Sequence, residues 1–354
     1  MRILGSRGVP ARHGGFETLA ERLQQEFTSM GIHCDVVGTR DAQSRNSFFG
    51  RMVDRRPFRS LETPLLTWTS RHRATEASPD RAVLVVNPIN VFTARALQRS
   101  GHHVALHMDG MEDQRSKWGH LARFMHRTAR RIAVRSNLVL VTDSREIQTW
   151  YLTTFGRETE MIAYGGCVAA ESDKSHRWAI NNSSEFFMVV ARSEPENQIL
   201  EICQAFIHSS SPHRLIVVGA PIGPNKYWDQ VIELVRDHPK ITLAGSIWDR
   251  QRLCELYCST LGVIHGHTVG GTNPALVDAL SHGAPVIAHN NPFNREVLDG
   301  NGSLWKTVDE LTVILEHHDP KTFSFDVNLF LQRYNWTSVA LKYIQILKLE
   351  SSPK

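Results

Sequence analysis

The chain has 354 residues, of which 41% are hydrophobic and 21% are charged, with 40 Lys and Arg against 36 Asp and Glu. This length exceeds one ordinary hydrophobic core and predicts two domains, while the composition is typical of globular proteins. No apolar run approaches the roughly 18 residues of a membrane span, so the sequence argues against an integral membrane protein.

In the first half, short apolar runs alternate with helical patterns, which predicts βαβ units and a parallel sheet. The predicted strands cover residues 2–4, 34–37, 82–87, 103–107 and 138–142. The predicted helices cover residues 16–30, 91–100, 117–134 and 145–155. Residues 40–62 are rich in Arg and poorly periodic, so we expect a loop there.

A second alternating series follows in the other half of the chain. Its predicted strands cover residues 186–191, 215–219, 241–244, 262–265 and 285–288. Small and polar residues at 169–184 indicate a linker between the two series. We therefore expect domains at 1–168 and 185–318, followed by helices at 319–354 that pack toward the first domain.

A glycine pair precedes a predicted helix in each half. GSRGVPARHGGFET places Gly14 and Gly15 before the first helix, and HGHTVGGTNPALVDAL places Gly270 and Gly271 before a helix that begins near Asn273. Unpaired N–H groups at such helix starts suit an anion, and both loops would lie beyond the carboxyl ends of strands. Neither loop matches a common phosphate-binding fingerprint, and each alone fits a plain turn equally well. Their recurrence favours an anionic ligand bound between the two domains.

Positive charge is concentrated in the first half, with 26 Lys and Arg against 18 Asp and Glu in residues 1–180 and 14 against 18 in residues 181–354. It is densest at 115–135, where apolar residues recur at three- and four-residue steps. This spacing predicts an amphipathic basic helix, which either lies on an anionic membrane surface or turns its apolar stripe to the core. Nucleic-acid binding is not favoured, because the arginines follow one helix and no recognised module is present.

Two features favour a cytoplasmic location. Met1 is followed at once by a short strand and the glycine-rich loop, without a leader-like segment. The five cysteines are scattered and lack zinc or redox spacing, which is typical of reduced thiols.

The chain resembles the retaining family-4 glycosyltransferases of the GT-B fold, in particular a bacterial subgroup that includes β-1,4-rhamnosyltransferases. Seven segments carry the resemblance, in the order GSRGVPARHGGFET, HMDGMEDQRSKW, IAYGG, ARSEPENQ, LAGSIWD, IHGHTVGGTNPALVDAL and GAPVIAHNNPFNREVL. The resemblance implies an α/β fold of two Rossmann-like doubly wound domains facing a cleft, with the last helix crossing back to the first domain. The first domain would lie on the acceptor side and the second would bind a nucleotide sugar.

The resemblance also implies an activity. A sugar, with L-rhamnose as the leading candidate, would move from a dTDP-, UDP- or GDP-linked donor to a lipid-linked or polysaccharide acceptor. No cofactor or metal is implied, since a metal-dependent transferase of the other common fold would carry an Asp-x-Asp motif that this sequence lacks. The family includes bacterial enzymes of cell-surface polysaccharide synthesis.

The same match assigns residues to the donor. They are Gly14, Gly15, Arg192, Asn197, Gly245, Ser246, Ile247, His267, Thr268, Gly270, Gly271, Thr272, Asn273 and Asp278. Arg192 falls where the family places an arginine on the diphosphate, which suits a guanidinium. Asn197 stands where the family has a lysine, so one cation is missing.

Two glutamates that the broader family carries eight positions apart are also replaced. Their places are taken by Gly270 and Asp278. Asp278 could still accept hydrogen bonds from the ribose, whereas Gly270 cannot replace the acid. His267 and Thr268 are therefore the predicted contacts to the donor sugar.

The predicted catalytic residues lie in the first domain. His107 ends a strand where the family places a histidine near the donor sugar, and Asp109 or Glu112 could act as a base. A histidine at a strand end is often structural, and an acidic turn is often merely solvated.

Two other functions remain open from the sequence. A nucleotide-sugar 2-epimerase has the same architecture and would act without an acceptor. The missing glutamate and lysine also fit a degenerate transferase that serves as a binding or scaffold protein.

Overall fold

The computed structural model describes residues 1–11, 14–38, 64–69, 82–108, 110, 119–166, 185–221 and 223–349. The loop predicted at 40–62 and the linker predicted at 169–184 lie outside these residues. The chain divides into two compact units, one formed by Met1–Tyr164 with Asn335–Lys354 and the other by Gly165–Tyr334. The first unit is therefore interrupted in sequence by the second.

The first unit contains one parallel sheet. Its described strands are β1 (Arg2–Leu4), β2 (Asp35–Val37), β3 (Ala82–Val86), β4 (His103–His107), β5 (Val139–Thr142) and β6 (Glu160–Met161), in the order β2-β1-β3-β4-β5-β6. Its helices are α1 (Gly15–Ser29), a short helix at 64–69, α2 (Val91–Arg99), α3 (His120–Val134) and α4 (Arg145–Phe155), with a 3₁₀ turn at Pro88–Asn90. Every residue of β3 is buried, as expected for a strand covered on both faces.

The second unit contains another parallel sheet. Its strands are β7 (Phe186–Val190), β8 (Arg214–Val218), β9 (Ile241–Gly245), β10 (Gly262–His265), β11 (Val286–His289) and β12 (Ser303–Trp305), in the order β12-β11-β10-β7-β8-β9. Its helices are α5 (Ile199–His208), α6 (Lys226–Val235), α7 (Arg250–Ser259), α8 (Pro274–Ser281), α9 (Pro292–Leu298), α10 (Val308–His317) and α11 (Val327–Arg333), with 3₁₀ turns at Pro195–Asn197 and Pro320–Thr322.

The strand orders define two doubly wound sheets of the Rossmann type. In the second sheet the chain order reverses at β7, which pairs with β8 on one side and β10 on the other. In the first sheet it reverses at β1, which pairs with both β2 and β3. The parallel α/β architecture predicted from the alternating pattern is confirmed, and each reversal is a point where ligands bind in such sheets.

The last helix, α12 (Trp336–Leu347), packs against α1 and belongs to the first unit. Ala340 and Tyr343 are fully buried in the same core as Leu23 and Phe27. The predicted return of the final helix to the first domain is confirmed. The preceding helix α11 contacts α8 and belongs to the second unit.

Helix α3 buries a different face from the one that its apolar periodicity suggested. Its buried residues are His126, Ala129 and Ala133, whereas Leu121 is 71% exposed and Phe124 is 64% exposed. Of the two alternatives for this helix, a core-facing stripe is therefore wrong for Leu121 and Phe124. Within the described residues, no helix is both long and apolar enough to cross a membrane.

Candidate functional site

Two loops of the second unit flank the point where its sheet reverses. Residues 191–198 follow β7, and residues 266–273 follow the neighbouring strand β10. Because the carboxyl ends of parallel strands meet at one edge of a sheet, the two loops lie side by side. Most of the residues that the sequence assigned to the donor fall on them.

The two loops are joined by hydrogen bonds. Asn197 Nδ2 donates to the carbonyl oxygen of Arg192 at 2.8 Å, and Asn197 Oδ1 lies 2.7 Å from His267 Nδ1. Thr268 donates to the carbonyl oxygen of Glu196 from both its backbone N–H, at 2.9 Å, and its hydroxyl group, at 3.1 Å. These bonds fix the positions of Asn197, His267 and Thr268 relative to one another.

Gly266 makes this close approach possible. A Cβ atom at this position would lie 2.3 Å from the carbonyl oxygen of Asn197, which is far shorter than any van der Waals contact. Since the opposing atom belongs to the backbone, it cannot turn aside as a flexible side chain could. Glycine is therefore required here so that the β7 and β10 loops can meet.

The loop after β11 and the first turn of α9 hold the backbone of His267 in place. Asn291 Nδ2 and Asn294 Nδ2 both donate to the carbonyl oxygen of His267, at 2.8 and 3.1 Å. Asn291 also caps α9, because its Oδ1 accepts from the Asn294 backbone N–H at 3.0 Å. Sequence reasoning missed both asparagines, although the Asn-Pro pair after a strand is a recognisable helix start.

The glycine pair of the second unit leads into the start of α8. Gly270 has a φ of 103°, which favours glycine, and Thr272 is buried. Asn273 caps the helix, with its Oδ1 accepting from the Ala275 backbone N–H at 3.0 Å. Arg192 lies exposed at the end of β7. This sheet edge therefore offers both a helix N-terminus and a guanidinium to an anion.

The other predicted donor residues lie nearby in the second unit. Gly245 ends β9 with a φ of 69°, and its carbonyl oxygen accepts from the Gly219 backbone N–H at 2.8 Å. Ser246 is exposed and Ile247 is half-buried. Asp278 is half-buried within α8.

Two further histidines lie beside this site, His265, which is buried, and His289, which is half-buried. Burial lowers the pKa of His265 to about 4, with a smaller contribution from His289. Burial also lowers the pKa of His289, helped by Lys306. The His265 ring lies 6.2 Å from the His267 ring. Because His265 is neutral at physiological pH, it adds no positive charge to the site.

Of the predicted residues of the first unit, His107, Gly14 and Gly15 are described, and His107 has aromatic neighbours. His107 is buried at the end of β4, where Phe16 meets its ring edge-on at 5.3 Å and Tyr164 lies at 6.2 Å. Burial lowers the pKa of His107 to about 3, so its imidazole is neutral. Gly14 precedes α1 and Gly15 begins it, and a Cβ on Gly15 would lie 3.0 Å from the Tyr164 hydroxyl oxygen.

The glycine-rich loop of the first unit is held by two carboxylates from α1. Glu17 Oε1 accepts from the Arg7 backbone N–H, and Glu21 Oε1 accepts from the Ala11 backbone N–H, both at 3.1 Å. These bonds could not be predicted from the sequence. A glutamate in a first helical turn, such as Glu17, is common for other reasons, and Glu21 lies in the second turn with no local pattern to mark it. The remaining catalytic candidates, Asp109 and Glu112, lie outside the described residues.

Taken with this geometry, comparison with solved structures defines the fold as GT-B. The chain is similar to a sucrose-phosphate synthase from Thermosynechococcus elongatus, with a TM-score of 0.77, 14% identity and 98% of each chain covered. It is also similar to the Anabaena protein HepE in complex with UDP-glucose, with a TM-score of 0.72, 15% identity, and 98% of this chain and 99% of that chain covered.

A third similar structure is a UDP-forming α,α-trehalose-phosphate synthase from Burkholderia xenovorans, with a TM-score of 0.69, 13% identity, and 98% of this chain and 99% of that chain covered. At these identities the comparisons show a shared fold, and the predicted GT-B fold is confirmed. No protein-family model matches the chain, and no curated protein matches its sequence.

Proposed function

We propose that this chain is a glycosyltransferase that uses a nucleotide sugar and binds the donor with its second unit. The observation that carries the proposal is the joined pair of loops at the reversal of the second sheet. There the exposed Arg192 and the capped start of α8 both suit phosphate groups. The GT-B fold, shared with a protein that was solved with UDP-glucose, supports a donor of this class.

Each part of the donor has residues to receive it under this proposal. Arg192 and the start of α8 at Asn273 would neutralise the diphosphate, with Gly271 and Thr272 in the turn before it. The end of β9, at Gly245, Ser246 and Ile247, would contact the nucleobase, and Asp278 would accept from the ribose. His267 and Thr268 would contact the sugar. This division is the one that the family resemblance implies.

In the proposed reaction, the bond between the anomeric carbon and the diphosphate oxygen breaks while a bond to the acceptor oxygen forms. The acceptor oxygen attacks the face of the sugar from which the diphosphate departs and passes its proton to the departing phosphate, so that configuration is retained without a protein nucleophile. Negative charge that develops on the diphosphate would be stabilised by Arg192. Burial lowers the pKa of His107 to about 3, so it would act as a neutral hydrogen-bonding group. In the alternative to proton transfer to the phosphate, Asp109 or Glu112 would accept the acceptor proton as a base. Isolation of a covalent glycosyl-enzyme would contradict this route.

The leading donor is dTDP-L-rhamnose, and the leading acceptor is a lipid-linked or polysaccharide glycan of a bacterial cell surface. Thermal melting of the full chain against dTDP, UDP, GDP and ADP tests the nucleotide. A nucleotide at 100 times its dissociation constant should stabilise the chain by about 2.7 kcal/mol. Arg192→Ala should bind the selected nucleotide about tenfold or more weakly, because a charged hydrogen-bonding partner of the diphosphate is lost.

The same assay separates the competing functions. A chain that responds to none of the four nucleotides would contradict the transferase and favour a scaffold. A chain that consumes a nucleotide sugar and releases an epimerised sugar without any acceptor would be an epimerase. Arg236→Ala is a suitable control, since Arg236 pairs with Glu233 on the surface at the end of α6.

We also propose that α3 docks on the anionic surface of the cytoplasmic leaflet, where a lipid-linked acceptor would be found. Leu121 and Phe124 are exposed on the face of α3 that also carries Arg127, Arg131 and Arg135. Phe92, on the neighbouring helix α2, is 58% exposed. Exposed apolar side chains beside arginines suit a membrane surface. The apolar side chains can enter the acyl-chain region, and the arginines can pair with anionic headgroups.

Co-sedimentation with phosphatidylglycerol vesicles tests this docking. Phe124→Glu should weaken binding about tenfold, since a buried Phe contributes roughly 1.5–3 kcal/mol. The matched control is Leu341→Glu, which changes a side chain of similar exposure on α12 of the same unit. Binding that is equal on phosphatidylcholine vesicles, or unchanged in high salt, would contradict the docking surface.

A further inference from the structure

The amide of Asn197 has a defined orientation. Its Nδ2 lies 2.8 Å from the carbonyl oxygen of Arg192, and its other end lies 2.7 Å from Nδ1 of His267. A backbone carbonyl oxygen can only accept, so the end of the amide that faces Arg192 must be the NH₂ group. The oxygen Oδ1 therefore faces His267.

This orientation in turn defines the tautomer of His267. Oδ1 of an asparagine can only accept, so Nδ1 of His267 must carry the proton in their hydrogen bond. In a neutral imidazole with Nδ1 protonated, Nε2 is the acceptor. Through the Asn197 amide, the Arg192 carbonyl thus decides which ring nitrogen of His267 can receive a hydrogen bond.

The rest of His267 is held firmly. Its carbonyl oxygen accepts from both Asn291 and Asn294, and the residue is 7% exposed. Asn197 is 5% exposed. A ring flip would break the bond to Oδ1 in a place with little access to water, and that loss is costly for buried polar groups.

We infer that Asn197 is a positioning residue, which holds His267 with its proton on Nδ1 so that Nε2 accepts a hydrogen bond from a hydroxyl group of the donor sugar. This inference rests on the proposed function. The resemblance places a lysine at this position, which would act as a cation. Asn197 has a different role, because both polar ends of its amide are already hydrogen-bonded within the chain. A neutral acceptor would thereby serve the sugar where the family's carboxylate is replaced by Gly270.

Three substitutions separate this role from simple loop tethering. Asn197→Leu removes both hydrogen bonds. Asn197→Asp loses the donation to Arg192 but keeps an oxygen that accepts from His267 Nδ1. Asn225→Asp is the matched control, because Asn225 Nδ2 donates to the carbonyl oxygen of Ser193 in the same loop at 2.7 Å, and an aspartate would keep the cap of α6.

The tautomer is read directly from the full chain labelled with ¹⁵N-histidine, by long-range ¹H–¹⁵N correlation of the ring nitrogens. His267→Gln identifies the signals. We expect the proton of His267 on Nδ1 in the native chain, in Asn197→Asp and in Asn225→Asp, and a mixture of tautomers in Asn197→Leu. Thermal melts of all variants establish that they fold.

Transfer from dTDP-L-rhamnose gives the second readout. Loss of one sugar contact should lower kcat/KM in Asn197→Leu by about tenfold, which corresponds to one hydrogen bond. Asn197→Asp should recover kcat/KM to within about threefold of the native value, whereas Asn197→Lys should not raise it. A structural tether alone would leave Asn197→Asp as impaired as Asn197→Leu.

Three results would overturn the inference: a native His267 with its proton on Nε2, equal impairment of Asn197→Asp and Asn197→Leu, or a gain in kcat/KM from Asn197→Lys. The tautomer is measured without any nucleotide sugar. A chain that turned over no nucleotide sugar would therefore refute the proposed function, and the tautomer measurement would still decide the state of His267.

Discussion

In the first unit the loop between β1 and α1 is held by carboxylates, whereas in the second unit the loop between β10 and α8 is held by amide groups and a backbone carbonyl. Glu17 and Glu21 bind backbone N–H groups of the first loop. Asn291, Asn294 and the Glu196 carbonyl hold the second. The two loops share a glycine pair before a helix and differ in the charge of their supports.

This difference decides which loop suits a phosphate. Carboxylates beside the first loop occupy two of its N–H groups and place negative charge there, which disfavours an incoming anion. The second loop has neutral supports, so the positive end of α8 and Arg192 act without opposition from these groups. Glycine pairs that look alike in sequence therefore need not bind the same part of a ligand, which supports our proposal that the diphosphate binds the second unit.

The largest expected loss of stability comes from Gly266→Ala, which tests the contact between the β7 and β10 loops of the second unit. The added Cβ would lie 2.3 Å from the Asn197 carbonyl oxygen, so the β7 and β10 loops must separate. We expect a loss of about 3 kcal/mol in the free energy of unfolding, measured with urea. Gly119→Ala is the control, since a Cβ there would meet nothing within 4 Å. Equal stability of the two variants would show that the loops can part without cost.

The next largest effect is a loss of stability in acid, to which one buried histidine in each unit contributes. Burial lowers the pKa of His107 to about 3 and that of His265 to about 4, from 6.5. Between those values and 6.5 the unfolded chain binds a proton that the folded chain does not, so stability falls as the pH falls. By pH 5 each histidine should lower the free energy of unfolding by about 2 kcal/mol relative to pH 7.

Urea unfolding at pH 7 and pH 5 checks this expectation. His107→Gln and His265→Gln should each lose about 2 kcal/mol less than the native chain over that interval. His120→Gln, at an exposed position on α3, should lose as much free energy of unfolding between pH 7 and pH 5 as the native chain does. A full acid-induced loss in either buried variant would mean that the corresponding histidine is protonated in the folded chain.

A smaller effect tests the carboxylate supports of the first loop. Glu17→Ala removes the acceptor of the Arg7 backbone N–H and should cost about 1.5 kcal/mol, because the partly buried donor loses its partner. Glu17→Gln keeps an accepting oxygen and should recover about half of the loss. Urea unfolding measures both. If Glu17→Gln were as unstable as Glu17→Ala, the charge rather than the hydrogen bond would hold the loop.

The smallest effect concerns the packing of α1 against Tyr164. A Cβ on Gly15 would lie 3.0 Å from the Tyr164 hydroxyl oxygen and 3.4 Å from the carbon that bears it. We expect Gly15→Ala to be about 1 kcal/mol less unfavourable in a Tyr164→Phe background than in the native chain. A double-mutant cycle measures this coupling. A coupling energy of zero would mean that α1 shifts away from Tyr164 without strain.

Much of the fold could be predicted from the sequence, since most strands are buried apolar runs. The bounds of β1, β4, β10 and α4 were predicted as the structure has them. The other predicted strands and helices differ by one residue at one or both ends, except that α3 was predicted from residue 117 and is described from His120. The strands Glu160–Met161 and Ser303–Trp305 were missed, because two or three residues at a sheet edge are too short to show periodicity.

The candidate site could be predicted less completely. The sequence pointed to the loops after β7 and β10 and to Arg192, all of which lie at the reversal of the second sheet. Asn197 was assigned to the donor as the replacement of a family lysine. Its bond to His267 was not foreseen, since it joins residues 70 positions apart and no local pattern encodes such a contact. The supports from Glu17, Asn291 and Asn294 were missed for the same reason.

The interrupted path of the first unit has a consequence for protein synthesis. Its core requires Trp336–Leu347, which the ribosome makes after the whole of Gly165–Tyr334. Domains generally fold as units while the chain emerges. The unit that emerges first is therefore completed last, and its helix α1 lacks its contact with α12 until the second unit has left the ribosome. A chaperone that shields apolar surface would have its longest opportunity to act on α1.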